Sequence, residues 1–213
     1  MDLSWIPALV SAIGTIVAAY FAYNQYTKNK ITDLKIANWK EQVDQKNAER
    51  TSNIARIYGE LYEVLHTTKA DRVVILQPHP LINSMYLSVS YEVKKNSIIG
   101  TKEFTQSFNM ADFAESVGIL ANNDVLVYHD TEQDMEEGRS KGHVLMHGTK
   151  KMYIKRLSDN GERWIGSLIV GYTDKHKEVD LEVISKKVSE AALSIQYILP
   201  EYEIINYKVT VVP

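Results

Sequence analysis

The sequence predicts an α+β domain, an antiparallel sheet with helices packed together on one face, preceded by a single transmembrane helix and a helical stalk. Three observations carry this reading. An uncharged run extends from Leu3 to Thr27. The stretch from Lys28 to His66 holds no proline, and Gly59 is its only glycine. Beyond it, β-branched and alternating segments are followed by one amphipathic helix. The expected boundaries are an anchor at 1–27, a stalk at 28–52 and a soluble domain at 53–213.

The uncharged run matches the roughly 20 residues that cross hydrocarbon. Trp5 stands at one end and Tyr20, Tyr23 and Tyr26 at the other, where amphipathic rings favour the interface. Met1-Asp2-Leu3 supplies no basic leader of the kind a cleaved signal peptide needs. Lys28, Lys30, Lys35 and Lys40 follow the run, so the positive-inside tendency places the N-terminus outside and the soluble domain in the cytoplasm, at a cell inner membrane. Ser11, Gly14, Ala18 and Ala22 share one helix face at three- and four-residue steps. That spacing lets two helices approach closely and favours a homo-oligomer in lipid, although small residues are common in such helices generally.

In the stalk, Ile36, Trp39 and Val43 fit a heptad seam that Lys46, Arg50 and Asn53 then interrupt. Apolar spacing resumes at Ile54, Ile57, Leu61 and Leu65, turns expected to pack on the following domain. Arg72–Gln77 is a β-branched strand that Pro78 and Pro80 should stop. In Tyr86–Val93 the alternation puts Leu87, Val89, Tyr91 and Val93 on one face. Met110–Leu120 reads as a short helix, Asp124–Tyr128 as a strand and Arg139–Met146 as a helical segment. Segments 151–157 and 163–172 flank Asn160-Gly161, a pair suited to a primed hairpin turn. Leu181, Ile184, Val188, Ala191, Ala192, Ile195 and Leu199 form one stripe of a closing helix that Pro200 ends. The segment 204–212 has some strand character.

Composition removes several classes of function. With 24 Lys+Arg against 27 Asp+Glu and a formal net charge of −3, the footprint of a nucleic-acid binder is missing. The absence of cysteine excludes disulfides, thiolate metal sites and a cysteine nucleophile. No glycine-rich phosphate loop or nucleophile elbow is present. His143 and His147 lie four apart, with Glu136 and Glu137 nearby, but the segment between Gly142 and Gly148 is too short for a rigid metal platform, so no metal site is expected. His129-Asp130 is a poor catalytic pair, since strand neighbours point to opposite faces. His79, between two prolines, reads as a rigid turn.

The order of elements resembles the GAF fold (GAF/PAS-like). The resemblance is carried by Lys69–Ile75 after an amphipathic helix, by 125–129, by Gly148–Ile154, by 161–170 and by Asp180–Ile184 opening the last helix; it covers roughly 53–199. It implies a small-molecule cleft between the sheet and the helices and loops before the hairpin, which here would be lined by Tyr91, Phe113, Tyr128, His129, His143 and Tyr153. The same aromatics equally suit a filled core. Bilin-binding and methionine-sulfoxide-reducing members of that family use a cysteine, which this chain lacks, and Asn122-Asn123-Asp124 is a poor match to the cyclic-nucleotide motif.

A narrower resemblance is to the holins of T-even phages, which combine one transmembrane helix, a stalk and a GAF-like domain. It rests on Glu49-Arg50-Thr51 leading to Val64-Leu65-His66 and Ala70-Asp71, and on Trp164–Leu168 followed by 180–182. That family has a basic N-terminus and an external, disulfide-bearing domain, from which this sequence departs. Two functions are therefore expected. The first is a non-enzymatic, oligomerising, holin-like membrane-lesion protein. The alternative is a cytoplasm-facing sensor or adaptor that binds a small ligand or a regulatory protein. Neither implies a cofactor.

Overall fold

The computed structural model describes residues 6–81, 84–159 and 162–202, and for 6–13 and 15–19 only the helical backbone. The chain divides into two compact units, 1–51 and 52–213. Helix α1 runs without a break over Ile6–Thr67. In the first unit most of its described side chains, among them Ile31, Leu34, Ile36 and Trp39, are exposed, while Asn24, Thr27 and Val43 are half-buried. Among the described residues no helix is long and apolar enough to cross a membrane. Most side chains of the uncharged run, Ser11 and Ala18 of the small-residue face included, lie outside the described residues, whereas Gly14 and Ala22 lie within them.

The second unit is built on six antiparallel strands in the order β3-β2-β1-β6-β5-β4. They are β1 Arg72–Leu81, β2 Ser84–Lys94, β3 Phe108–Asn109, β4 Val125–Tyr128, β5 Lys151–Asp159 and β6 Arg163–Tyr172. Three helices, α2 Ala114–Asn122, α3 Thr131–Asp134 and α4 Arg139–Met146, lie between β3 and β5, with a 3-10 turn at Met110–Phe113 leading into α2. Helix α5, Leu181–Gln196, closes the unit; the Asp180 side chain caps it by accepting from the amides of Glu182 and Val183.

Helices cover both faces of the sheet, which corrects the expectation of one covered face. On one face Ile57, Leu61 and Val64 of α1 and Ile184, Val188 and Ile195 of α5 pack on Val73, Ile75, Leu168 and Val170. On the other, Leu120 of α2, Val144 of α4 and Met135 gather with Met152, Ile154 and Tyr128. The cause lies in the strands. Val73, Val74 and Ile75 are consecutive and all buried, so neither side of β1 can face water.

Two departures from the sequence reading shape the site. Strand β1 does not stop at Pro78 but continues to Leu81, because β6 pairs with it only as far as Leu76↔Ser167. Past that point β1 pairs with β2 alone, so the missing N–H groups of Pro78 and Pro80 fall on the unpaired side. Gly166 lies where the strands part, and a side chain there would come within 2.9 Å of the Leu76 carbonyl oxygen. His79 is accordingly a strand residue, fully buried, with Nε2 2.8 Å from Ser88 Oγ and its ring stacked on Tyr86 and Tyr202. The second departure is a β-bulge at Ser90, where the register steps from Ile75↔Tyr91 to Leu76↔Val89. The extra residue reverses the alternation. Tyr91 and Val93 therefore join the α1/α5 core, and Val89 faces the α2/α4 side.

Candidate functional site

The α2/α4 side of the sheet encloses a cavity of about 80 Å³. Its floor is the second face of the central strands, Val74, Leu76, Val89, Met152 and Ile169, and its roof is α4 with the segment that joins β2 to β3. Six polar residues line it: Arg72 on β1, Thr101 and Thr105 before β3, His143 on α4, His147 just past its end, and Thr149. Gly148, with φ of 70°, ends α4 in a backbone conformation that other residues adopt only with strain, and so turns the chain from His147 into β5.

Arg72 is 5% exposed and His147 6%. One Arg72 Nη donates to the His147 carbonyl oxygen at 2.9 Å, which fixes the guanidinium against the end of α4. Its Nε makes no hydrogen bond and lies 3.7 Å from Glu92 Oε1. That carboxylate is occupied elsewhere, accepting from the Thr101 amide at 2.8 Å, the Thr101 hydroxyl at 2.9 Å and the Lys102 amide at 3.0 Å. Both ring nitrogens of His147 are buried without a hydrogen-bond partner among the described residues. His143 Nε2 pairs with Thr105 Oγ1 at 2.7 Å, and the two imidazoles meet edge to face at 4.7 Å. Phe108 lies 4.3 Å from His143, and Phe104 lies 5.4 Å from His147.

Burial, then the charges of His147 and Arg72, push His143 down to about 4. Burial and Arg72 also lower His147, with Glu92 opposing them. At neutral pH the site therefore holds one guanidinium cation and two neutral imidazoles. Leaving buried donors and acceptors unmade costs on the order of 1–3 kcal/mol each, and Arg72 Nε and the His147 ring carry that unspent hydrogen-bonding capacity at this end of the cavity.

Of the six residues expected to line a cleft, Phe113 and His143 line this cavity. Tyr91 and Tyr153 face the opposite side of the sheet and belong to the α1/α5 core, Tyr91 edge to face with Tyr58 at 5.6 Å. Tyr128 is on the α2/α4 side but packs with Leu120 and Met135, its hydroxyl 3.0 Å from Ser116 Oγ. His129 is exposed just past β4, its amide donating to Asp134 Oδ2, and together with Tyr128 and Tyr153 it lines a separate cavity of about 190 Å³. Arg72, Thr105 and His147 were not among the six. A lone arginine heading the run Val73–Leu76, a strand buried on both faces, was the sequence signal that could have found the first of them.

No family model and no curated protein sequence matches this chain. Its structure is similar to solved GAF domains. The blue-light absorbing form of the PixJ GAF domain of Thermosynechococcus elongatus superposes with a TM-score of 0.57 at 10% identity, over 71% of this chain and 89% of that one. A far-red cyanobacteriochrome photoreceptor gives 0.57 at 11%, over 79% and 99%. The photoproduct state of a GAF domain from Synechocystis gives 0.55 at 12%, over 68% and 94%. The second unit thus has a GAF-like α+β fold. These structures support the GAF-like resemblance read from the sequence and give no support to the resemblance to phage holins.

Proposed function

We propose that this chain is a non-enzymatic sensor whose GAF-like domain binds a small molecule without covalent attachment. The observation that carries it is the cavity beneath α4 with Arg72 and His147 buried at its polar end and their hydrogen-bonding capacity unspent. The solved structures named above are light-absorbing receptors or their GAF domains, which fits a sensor reading of this fold. A volume of about 80 Å³ and the lack of cysteine favour a ligand much smaller than a linear tetrapyrrole, held by polar contacts. Helix α1 supplies Ile57, Leu61 and Val64 to the core and continues unbroken towards the N-terminus, a ready route for output.

The uncharged run 3–27 supports attachment to a membrane, Lys28, Lys30, Lys35 and Lys40 after it support a cytoplasmic sensor domain, and its small-residue face supports pairing with a second copy. Oligomerisation is then the means of signalling; the holin-like reading has only the anchor and that face behind it. The test is thermal unfolding of the full chain against a library of small metabolites. The sensor reading expects at least one compound to raise the Tm of the natural protein and not of His147→Phe. A library in which no compound separates the two proteins contradicts it.

A further inference from the structure

We infer that the ligand is an aliphatic monocarboxylate, its carboxylate at Arg72 Nε and the His147 ring and its chain lying along the sheet; this rests on the sensor reading above. The polar end accounts for the head group. Arg72 Nε is a buried cationic donor with no hydrogen bond; of the two carboxylates that act on Arg72, Asp71 and Glu92, the nearer, Glu92 at 3.7 Å, already accepts three hydrogen bonds from Thr101 and Lys102. An imidazole beside it, also without partners, adds an N–H. A guanidinium edge and one further donor match the two oxygens of a carboxylate. A phosphate dianion would need more donors than the largely apolar walls offer, and its second negative charge would add to the repulsion from Glu92 that a monocarboxylate already meets.

The apolar end accounts for the chain. A second cavity of about 60 Å³ adjoins the first, and Leu76, Phe113, Val144, Met152 and Ile169 line both. It leads away from Arg72 towards Leu120 and Ile154 and carries no charged residue in its lining. A ligand with one charged end and a narrow hydrocarbon tail fills both spaces. Neither an amino acid, whose ammonium would lie beside Arg72, nor a sugar does so.

The test is calorimetric titration of the full chain with butanoate, hexanoate, octanoate and hexanamide, repeated with His147→Phe and Arg72→Lys. Binding that strengthens roughly tenfold from butanoate to hexanoate, as two buried methylenes require, is expected. So are at least tenfold weaker binding of hexanamide and a tenfold or greater loss in His147→Phe. Should Arg72→Lys fail to fold, the His147→Phe comparison decides. Equal binding of hexanamide and hexanoate, or unchanged hexanoate binding in His147→Phe, overturns the carboxylate while leaving a small-molecule sensor standing. No binding of any carboxylate, with a library compound still raising the Tm, overturns the inference alone; no response to carboxylates or library removes both.

Discussion

Val89 and Tyr91 are two residues apart on β2 yet face opposite sides of the sheet, because the bulge at Ser90 puts one extra residue between them. Val89 lines the cavity beneath α4, and Tyr91 lies in the core under α1 and α5. The bulge therefore separates a residue that lines the cavity from one that lies in the opposite core. Tyr91→Ala is expected to cost about 3 kcal/mol of stability, the usual penalty for removing a buried aromatic ring, and to leave ligand affinity within twofold. Urea unfolding and ligand titration of the same variant check both halves.

His147→Phe is expected to behave in the opposite way. It replaces a ring whose two nitrogens are buried without partners by one of similar shape with none to satisfy. The ligand-free protein should be as stable as the natural one or more so, by up to about 1 kcal/mol, while binding is lost. Denaturant midpoints of the two proteins measured without ligand are the check.

The His143 ring gives stability a defined pH dependence. Its folded value, about 4, lies below the ordinary 6.5, so between these limits the unfolded chain binds the extra proton. Its contribution is complete above about 6.5, falls away as the pH drops, and levels off below about 4. The groups facing it are Arg72 from β1, Thr105 before β3 and His147 just past the end of α4. The shift corresponds to about 3 kcal/mol across that window, which solvent screening of the half-buried ring reduces to about 2, and His143→Gln should flatten the slope. Thermal or urea unfolding at a series of pH values measures it.

Asp71 gives a second window lower down. Burial raises its carboxyl, but hydrogen bonds from Lys95 and Thr173 and the charge of Lys177 outweigh burial and hold it at about 2. Its Oδ2 accepts from the amide and the hydroxyl of Thr173, tying the start of β1 to the end of β6. Stability from this carboxylate is present above about pH 4 and is lost as the pH falls towards 2. Asp71→Asn, which keeps the shape and leaves two lysines without their counter-charge, should cost about 2 kcal/mol at neutral pH. Chemical denaturation of that variant is the check.

Much of the fold was legible because it follows local rules. Arg139–Met146 has the bounds read from the sequence, the strands of the 151–172 hairpin differ only by a longer first strand, and Asp180 caps the last helix at the position its apolar stripe implies. The Asn160-Gly161 turn and the segment 204–212 lie outside the described residues. What stayed hidden depends on partners distant in sequence. Pro78 and Pro80 are tolerated because β6 stops pairing beside them, which nothing in the run Arg72–Leu81 states. The bulge at Ser90 has no glycine to announce it, so strict alternation put Tyr91 on the same face as Val89, and the GAF resemblance then set it in the cleft. Within the site, His143 was named, whereas His147 was weighed only as a metal ligand and Arg72 only as the head of a strand. Their common environment arises where β1, the segment before β3 and the end of α4 meet.

The most direct test of the account is ¹⁵N NMR of the histidine side chains in the full chain, recorded as a stabilising ligand is titrated in. The account predicts that the His143 and His147 ring signals move together and saturate, while His79, buried at the other end of β1, and the exposed His129 stay in place. Saturable binding that leaves His143 and His147 unmoved would contradict it.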